Sequence, residues 1–151
     1  ERVPTARGVS LWFQALLELA PLRLPGEAVG FRWPESPEEH AHYERAARHL
    51  AEAQTAVGDL PIVASTQALV AAIRCDFETA EQALERAAQE GELGREAVLA
   101  QQEVALRKGR SQEVETFVRQ ALALPCARDD SALAQLLRGV AAPPTCPKPR
   151  Q

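Results

Sequence analysis

The chain has 151 residues, enough for one domain with a real core, and its content of 46% hydrophobic and 25% charged residues is typical of a soluble globular protein. A net charge of −4 gives no electrostatic footprint for nucleic acid. No apolar run approaches the roughly 18 residues that a membrane-spanning helix needs, so we expect no membrane span. Aromatic residues make up only 5%, which predicts a core of Ala, Leu and Val in closely packed helices.

Three cysteines, Cys75, Cys126 and Cys146, are an odd number without regular spacing. Such a pattern indicates neither a disulfide framework nor a zinc site. We interpret them as free thiols in a reducing compartment, which favours a cytoplasmic location. The alternative is a Cys126–Cys146 bridge in an oxidising compartment. The chain begins at Glu1 and contains no Met, which indicates a processed protein or a piece of a longer one.

The first predicted helix covers residues 10–20, after an irregular start at residues 1–9. Ser10 is its candidate N-cap, Pro21 ends it, and Trp12, Leu16 and Leu19 form an apolar stripe. Residues 21–35 carry three prolines and two glycines, which predicts a long loop. That loop holds Phe31 and Trp33. Large aromatic side chains are costly to leave in water, so we expect both to dock on the helices or to contact a partner.

The second helix has a strong start signal. Ser36 caps it, Pro37 occupies the first turn, and the following glutamates lie at the positive end of the helix dipole. The helix should end at Val57, before a Gly58–Pro61 break. A third helix, at about 61–74, is apolar on nearly all sides, which predicts burial between neighbouring helices.

Four further segments complete the chain. Helices four and five, at about 77–90 and 95–108, each end at a glycine. A sixth helix begins at Ser111 and ends near Pro125, and a short last helix covers about 129–140. Residues 141–151 hold four prolines and are predicted to form a disordered tail beyond a single helical domain at 1–140.

A sequence phrase recurs along the chain. The tract from Tyr43 to Ala53 (YERA, then Leu and Ala) returns 34 residues later from Phe77 to Ala87 (FETA, then Leu and Ala). A weaker third copy places Val114, Val118 and Ala121 at the positions of Ala80, Leu84 and Ala87. A fixed period of roughly 20 to 50 residues indicates an array of helical repeats.

This phrase resembles the second helix of the tetratricopeptide repeat. In that family a small residue precedes the aromatic residue that opens the helix, and alanine, a bulky residue and alanine follow at fixed spacing. In residues 61–94 these places are filled by Cys75, Phe77, Ala80, Leu84 and Ala87, and in residues 95–128 by Gly109, Ser111, Val114, Val118 and Ala121.

The resemblance implies an all-α fold, an array of antiparallel helix pairs with about seven helices. The repeats would cover about 10–57, 61–94 and 95–128. Residues 21–35 would form an insertion inside the first repeat, and 129–140 a capping helix that shields the last one.

The resemblance also implies a concave face lined by the first helix of each pair. Residues predicted to bind a partner there are Ile62, Leu69, Ile73, Glu96, Leu99, Glu103 and Leu106, with Phe31 and Trp33 from the insertion. The basic clamp that some family members use for C-terminal carboxylates is missing. An apolar face with acidic edges suits an amphipathic or basic helix or peptide, or part of the chain's own insertion. In the alternative interpretation, most of these apolar residues are ordinary core.

No catalytic motif is visible, so we expect no enzyme and no cofactor. Cys75 fits the small-residue position of the repeat turn better than a reactive thiol. The predicted function is a non-catalytic protein–protein interaction module, a scaffold or assembly adaptor. One alternative is a regulatory helical-repeat region of a larger sensor or transcriptional regulator. Another is metal binding on the second helix by His40, His42 and His49.

Overall fold

The structure, a computed structural model of the chain, describes residues 5–22, 31, 34–108 and 119–125, without the side chain of Leu106. Every regular element in these ranges is helical, which confirms the all-α fold class. Five α-helices span Ala6–Leu19 (α1), Pro37–Val57 (α2), Pro61–Ile73 (α3), Phe77–Glu90 (α4) and Arg95–Arg107 (α5), and a 3-10 helix, Ala20–Leu22, follows α1.

Most of the predicted sixth and seventh helices, and the whole predicted tail, lie outside the described residues, although residues 119–123 are helical. Within the part of the chain that the structure describes, no helix is long and apolar enough to cross a membrane.

Local capping chemistry fixes where α2 and α4 begin. The Ser36 hydroxyl accepts the Glu39 N–H at 3.2 Å, and the Glu39 carboxylate accepts the Ser36 N–H at 3.1 Å. This reciprocal capping box satisfies two backbone donors that a helix start leaves open. Asp76 caps α4 in the same sense, accepting the Thr79 N–H at 3.2 Å. Both starts were predicted from the sequence, and both are confirmed.

The start of α1 was predicted wrongly. The helix begins at Ala6, because the Thr5 side chain accepts the Gly8 N–H at 3.2 Å and so caps the helix ahead of Ser10. Residues 6–9 are therefore helical instead of irregular. The helix ends at Leu19, and Pro21 lies in the 3-10 turn that follows.

Helices α1 and α2 form a close antiparallel pair. Gly8 near the start of α1 lies against Val57 at the end of α2, and a Cβ atom built on Gly8 would stand 2.2 Å from Val57 Cγ1. At the other end, Glu18 contacts His42 and Arg45 of α2. Only glycine leaves enough room for the backbones to approach this closely at position 8.

Helix α3 lies at the centre and is buried along almost its whole length, as its apolar sequence predicted. It packs against α2, α4 and α5. The Arg74–Asp76 turn reverses the chain into α4, so that Ala80 packs beside Ala72. Leu69 of α3 lies near Leu99 of α5, and further along both helices Ala72 lies near Val104. Because both sequences advance in the same direction, α3 and α5 run parallel.

Side-chain contacts give α1 the same direction as α3. Leu11 clusters with Val63, and the Trp12 indole N–H donates to the Thr66 hydroxyl at 2.9 Å. Three helices, α1, α3 and α5, therefore run one way, and the two helices between them run the other way.

Cys75, in the turn between α3 and α4, is disulfide-bonded and has a left-handed backbone φ of 61°. Its partner lies outside the described residues. The prediction of free thiols is therefore wrong for Cys75. Cysteine spacing carries no information about which cysteines a fold brings together.

The recurring phrase predicted that Ala80 is fully buried, and its exposed fraction is 0%. We expect Ala80→Leu to overpack the α3–α4 crossing and to lower the free energy of unfolding by about 1–3 kcal/mol. Urea denaturation measures the change. Ala88→Leu, at an exposed position on the same helix, is the matched control and should have little effect. Equal stability of Ala80→Leu and the unsubstituted protein would contradict this close crossing.

Candidate functional site

Phe31 of the insertion is docked in the core, with an exposed fraction of 7%. Its ring belongs to a hydrophobic cluster that includes Leu19 of α1, Leu69 of α3 and Ala100 of α5. The expectation that this aromatic residue does not remain in solvent is confirmed. Trp33, the other predicted aromatic residue, lies outside the described residues.

A buried ion pair on α5 holds the backbone of Phe31 from both sides. Arg107 Nε donates to Glu103 Oε1 at 2.9 Å, and both side chains are almost completely buried. The same Glu103 oxygen accepts the Phe31 N–H at 3.2 Å, while Arg107 also donates to the Phe31 carbonyl. Phe31 is thus held by two backbone hydrogen bonds to charged groups, which are stronger than bonds between neutral groups.

Burial dominates the electrostatics of this pair. Loss of solvent raises the pKa of Glu103, and the nearby Arg107 opposes the rise only in part. For Glu103, a pKa raised by folding means that the group adds to the stability of the fold at pH values below its ordinary pKa of about 4.5. That contribution is lost as the pH rises through the higher folded-state pKa. Because burial of two charges is costly, we interpret the pair as positioning Phe31 more than stabilising the fold.

The structure separates the predicted partner-binding residues into two groups. Leu69, Ile73 and Glu103 are core residues with exposed fractions of 3% or less, because Phe31 and the neighbouring helices pack over them. This corrects the picture of an open groove along α3 and α5. Leu99 and Glu96 are half-buried beside Phe31, around a cavity of about 190 Å³. The side chain of Leu106 lies outside the described part of the chain.

Ile62, the remaining predicted residue, lies elsewhere, beside the start of α1. It is 38% exposed and borders an apolar groove of about 170 Å³. The groove is formed by the start of α1, the end of α2 and the start of α3, and all its lining residues are apolar: Gly8, Val9, Trp12, Val57, Leu60, Ile62 and Val63.

Next to this groove, α1 carries a stripe of exposed apolar side chains that the sequence analysis missed. Val9, Phe13 and Leu17 are 39%, 55% and 70% exposed. Their spacing of four residues places them on one face of the helix, and Leu11 and Ala15 are buried on the opposite face. We call Val9, Phe13 and Leu17 the α1 stripe. The signal was available, because α1 is apolar on both faces and only one can face the core.

The α1 stripe rests on a fixed support. The Trp12 ring meets the Phe13 ring edge-on, with centroids 4.9 Å apart. Trp12 donates from its indole nitrogen to the Thr66 hydroxyl, which in turn donates to the Ile62 carbonyl at 2.8 Å. Because Trp12 is held by this chain of hydrogen bonds, the neighbouring Phe13 ring has a rigid base, and a partner would meet a preorganised surface.

A larger cavity, of about 370 Å³, lies between α2, α3 and α4. Its floor includes Leu50 and Val70, and its rim carries Arg74 and Arg86. Arg86 already faces Asp59 at 3.9 Å. Volume alone therefore does not mark this cavity as a site.

Of the three α2 histidines considered as metal ligands, His42 takes part in a polar network with α1. Glu18 accepts from Arg45 Nε at 2.9 Å and lies 2.5 Å from His42 Nδ1. His40 is exposed and belongs to no such contact among the described hydrogen bonds. In the ranges that the structure describes, no three His, Cys, Asp or Glu side chains are grouped closely enough to hold a metal ion.

No family model, curated protein or solved structure matches this chain. The α1 stripe with the adjoining groove is the strongest candidate site on the described surface of the chain.

The network at Glu18 should make stability depend on pH. The hydrogen bond from Arg45 lowers the pKa of Glu18. The stability that the carboxylate contributes is therefore present above its ordinary pKa of 4.5, and it is lost as the pH falls through the lower folded-state pKa. We expect Glu18→Gln to lower the melting temperature at pH 7, and the difference from the unsubstituted protein to shrink steadily below pH 4.5.

Thermal melts between pH 7 and 3 test this expectation. Glu44→Gln, an exposed carboxylate on α2, controls for the loss of one surface charge. A difference between Glu18→Gln and the unsubstituted protein that stays constant over this pH range would contradict the assigned role of Glu18.

Removal of one member of the Glu103–Arg107 pair should be more costly than removal of both. We expect Arg107→Met to cost about 3–5 kcal/mol, because it leaves a buried carboxylate without its partner. The double variant Glu103→Leu/Arg107→Met should be less destabilised than Arg107→Met alone, because only the two Phe31 backbone groups then lose their partners.

Urea denaturation of the single and double variants gives these values as a double-mutant cycle. Arg48→Met, at an exposed arginine on α2, controls for loss of a cation. A double variant as destabilised as the sum of the two single variants would show that the two side chains act independently.

Proposed function

We propose that this chain is a non-catalytic protein–protein interaction module that binds a helix of a partner protein along the α1 stripe and the adjoining groove. The observation that carries the proposal is the exposure of Phe13 and Leu17, at 55% and 70%, on a helix whose other face is core. Contiguous exposed apolar side chains mark interaction surfaces on folded proteins. A helical ligand would place its own apolar residues between Val9, Phe13 and Leu17.

We propose the tetratricopeptide-like repeat array as the architecture that presents this surface. What supports it is the 34-residue spacing between the phrases in α2 and α4, together with the shared direction of α1, α3 and α5. In such arrays a terminal helix that faces only water has a polar outer face. The outer face of α1 is apolar, which favours a covering partner over a solvent-facing end.

The chemistry of the partner follows from the surface. The exposed residues between the members of the α1 stripe are uncharged, Ser10 and Gln14 among them. Recognition would therefore depend on apolar contact and shape more than on charge. This moves the proposed interface from the α3–α5 groove, where most predicted residues are core, to α1 and Ile62.

A second candidate function is favoured by the same outer face of α1. If this chain is a regulatory repeat region of a larger sensor or transcriptional regulator, another segment of that larger protein would cover the stripe in the same way.

A capture experiment tests the proposed function. Three proteins are immobilised at nanomolar concentration: the unsubstituted protein, Leu17→Glu, and the control Gln89→Glu, which changes an exposed position on α4. Each is incubated with cell extract, and the bound proteins are identified by mass spectrometry. We expect a captured protein that Leu17→Glu loses at least tenfold and Gln89→Glu retains. Leu17 is 70% exposed, so circular dichroism should show the variant folded. Identical captured sets for all three proteins would refute an interface on α1.

A further inference from the structure

We infer that the site in which Phe31 is docked is a peptide-binding site, and that the chain's own insertion occupies it. Its external ligand is an extended segment of another protein, with an aromatic residue in the place of Phe31. This inference concerns a second surface and does not depend on the α1 stripe. Three observations carry it: the polar contacts to the Phe31 backbone, the apolar pocket around its ring, and the imperfect fit of the insertion.

Glu103 and Arg107 hold Phe31 through its main-chain atoms. Glu103 Oε1 accepts the Phe31 N–H at 3.2 Å, and Arg107 donates to the carbonyl of the same residue. The N–H and the C=O of one residue point to the same side when the backbone is extended, as they do between paired strands of a sheet. Because every residue except proline has both groups, the Glu103–Arg107 pair can hold any extended segment whose side chain fits the pocket.

The pocket around the ring supplies the selectivity. The Phe31 side chain packs with Leu19 of α1, Leu69 of α3 and Ala100 of α5, so three helices form the apolar walls. Main-chain hydrogen bonds that give affinity, combined with an apolar pocket that selects a side chain, are a general mode of peptide recognition. The residue that is docked here shows which ligand the site accepts, namely an extended peptide with an aromatic side chain.

The insertion fits this site imperfectly. A cavity of about 190 Å³ remains beside Phe31, and Leu16 and Leu99 are among the residues that line it. In the described part of the chain, Nη1 of Arg107 is buried without a hydrogen-bond partner. An empty apolar volume and a buried donor without an acceptor both cost free energy. A partner segment that fills the cavity, or offers Arg107 a further carbonyl group, therefore binds more strongly than the insertion does.

Phe31 competes with such a partner from within the chain. A segment on a short flexible tether has an effective concentration of about millimolar order. For a free site that binds a matching peptide with a Kd of roughly 10–100 μM, the tethered residue weakens the observed affinity about 10- to 100-fold. The insertion therefore keeps the site occupied until a partner of sufficient affinity or local concentration replaces Phe31.

Fluorescence anisotropy with a labelled peptide tests the inference on the full chain. The probe is the acetylated and amidated peptide of residues 27–35, which includes Phe31. We expect Phe31→Ala to bind the probe at least tenfold more tightly than the unsubstituted protein, because the internal competitor is gone. Leu11→Ala, which shortens a side chain in a separate core cluster, is the matched control and should bind no better than the unsubstituted protein.

Two results of this comparison would overturn the inference. One is equal affinity of Phe31→Ala and the unsubstituted protein for the probe. The other is an equal gain for Phe31→Ala and Leu11→Ala, because the probe would then bind to any loosened core.

Two altered peptides test the contacts without a further change in the protein. The probe with Ala in the place of Phe31 should not bind the Phe31→Ala variant, because the pocket stays empty. Methylation of the probe at the nitrogen of its Phe residue removes the N–H that Glu103 accepts, and it should weaken binding at least tenfold. A methylated probe that binds as tightly as the unmodified one would reject recognition of the backbone by Glu103.

Circular dichroism keeps the test decisive if Phe31→Ala loses its fold. The probe at about millimolar concentration should then restore the helical signal, since a ligand that binds only the folded state shifts the equilibrium towards it. A variant that stays unfolded with the probe present would overturn the inference.

Discussion

Helix α3 can be enclosed by α2, α4 and α5 only because small side chains occupy the crossings. Ala72 and Ala80 are fully buried where α3 meets α4, and alanine brings helix axes to the short end of the usual 8–10 Å range. Close axes leave no space for large side chains between the helices, which explains how a chain with few aromatic residues forms a dense core. The short connections from α2 through α5 reverse the chain at each step, so neighbouring helices alternate in direction.

The insertion between α1 and α2 is positioned by a different kind of interaction. Within this segment the backbone of Phe31 is held by Glu103 and Arg107, from a helix about 72 residues further along the sequence. Burial of two charges is expensive, and their attraction offsets that cost only with good geometry. Their contribution is therefore specificity of position: they fix where the insertion docks. By docking there, Phe31 converts the predicted α3–α5 groove into core and leaves α1 as the accessible apolar face.

The local features could be read from the sequence, and the long-range ones could not. Ser36 announces a helix start because a cap acts within three residues, and the burial of Ala80 follows from a pattern that repeats. Glu103 and Arg107, in contrast, have the spacing of an ordinary surface pair on a helix. Nothing near them in sequence indicates that Phe31 will cover them. The disulfide at Cys75 was missed for the same reason, since pairing depends on tertiary proximity.

Helix α1 marks the limit of pattern analysis for the candidate site. Its inner residues, such as Ala15, and its outer residues, such as Phe13, are equally apolar, so periodicity cannot assign the face that meets the core. The fold decides it, because Gly8 permits close contact with α2 on only one side. Exposed leucine and phenylalanine side chains forgo a stabilisation of about 1.5–3 kcal/mol each relative to burial. The α1 stripe, which packs against Trp12, can recover that free energy when a partner surface covers it.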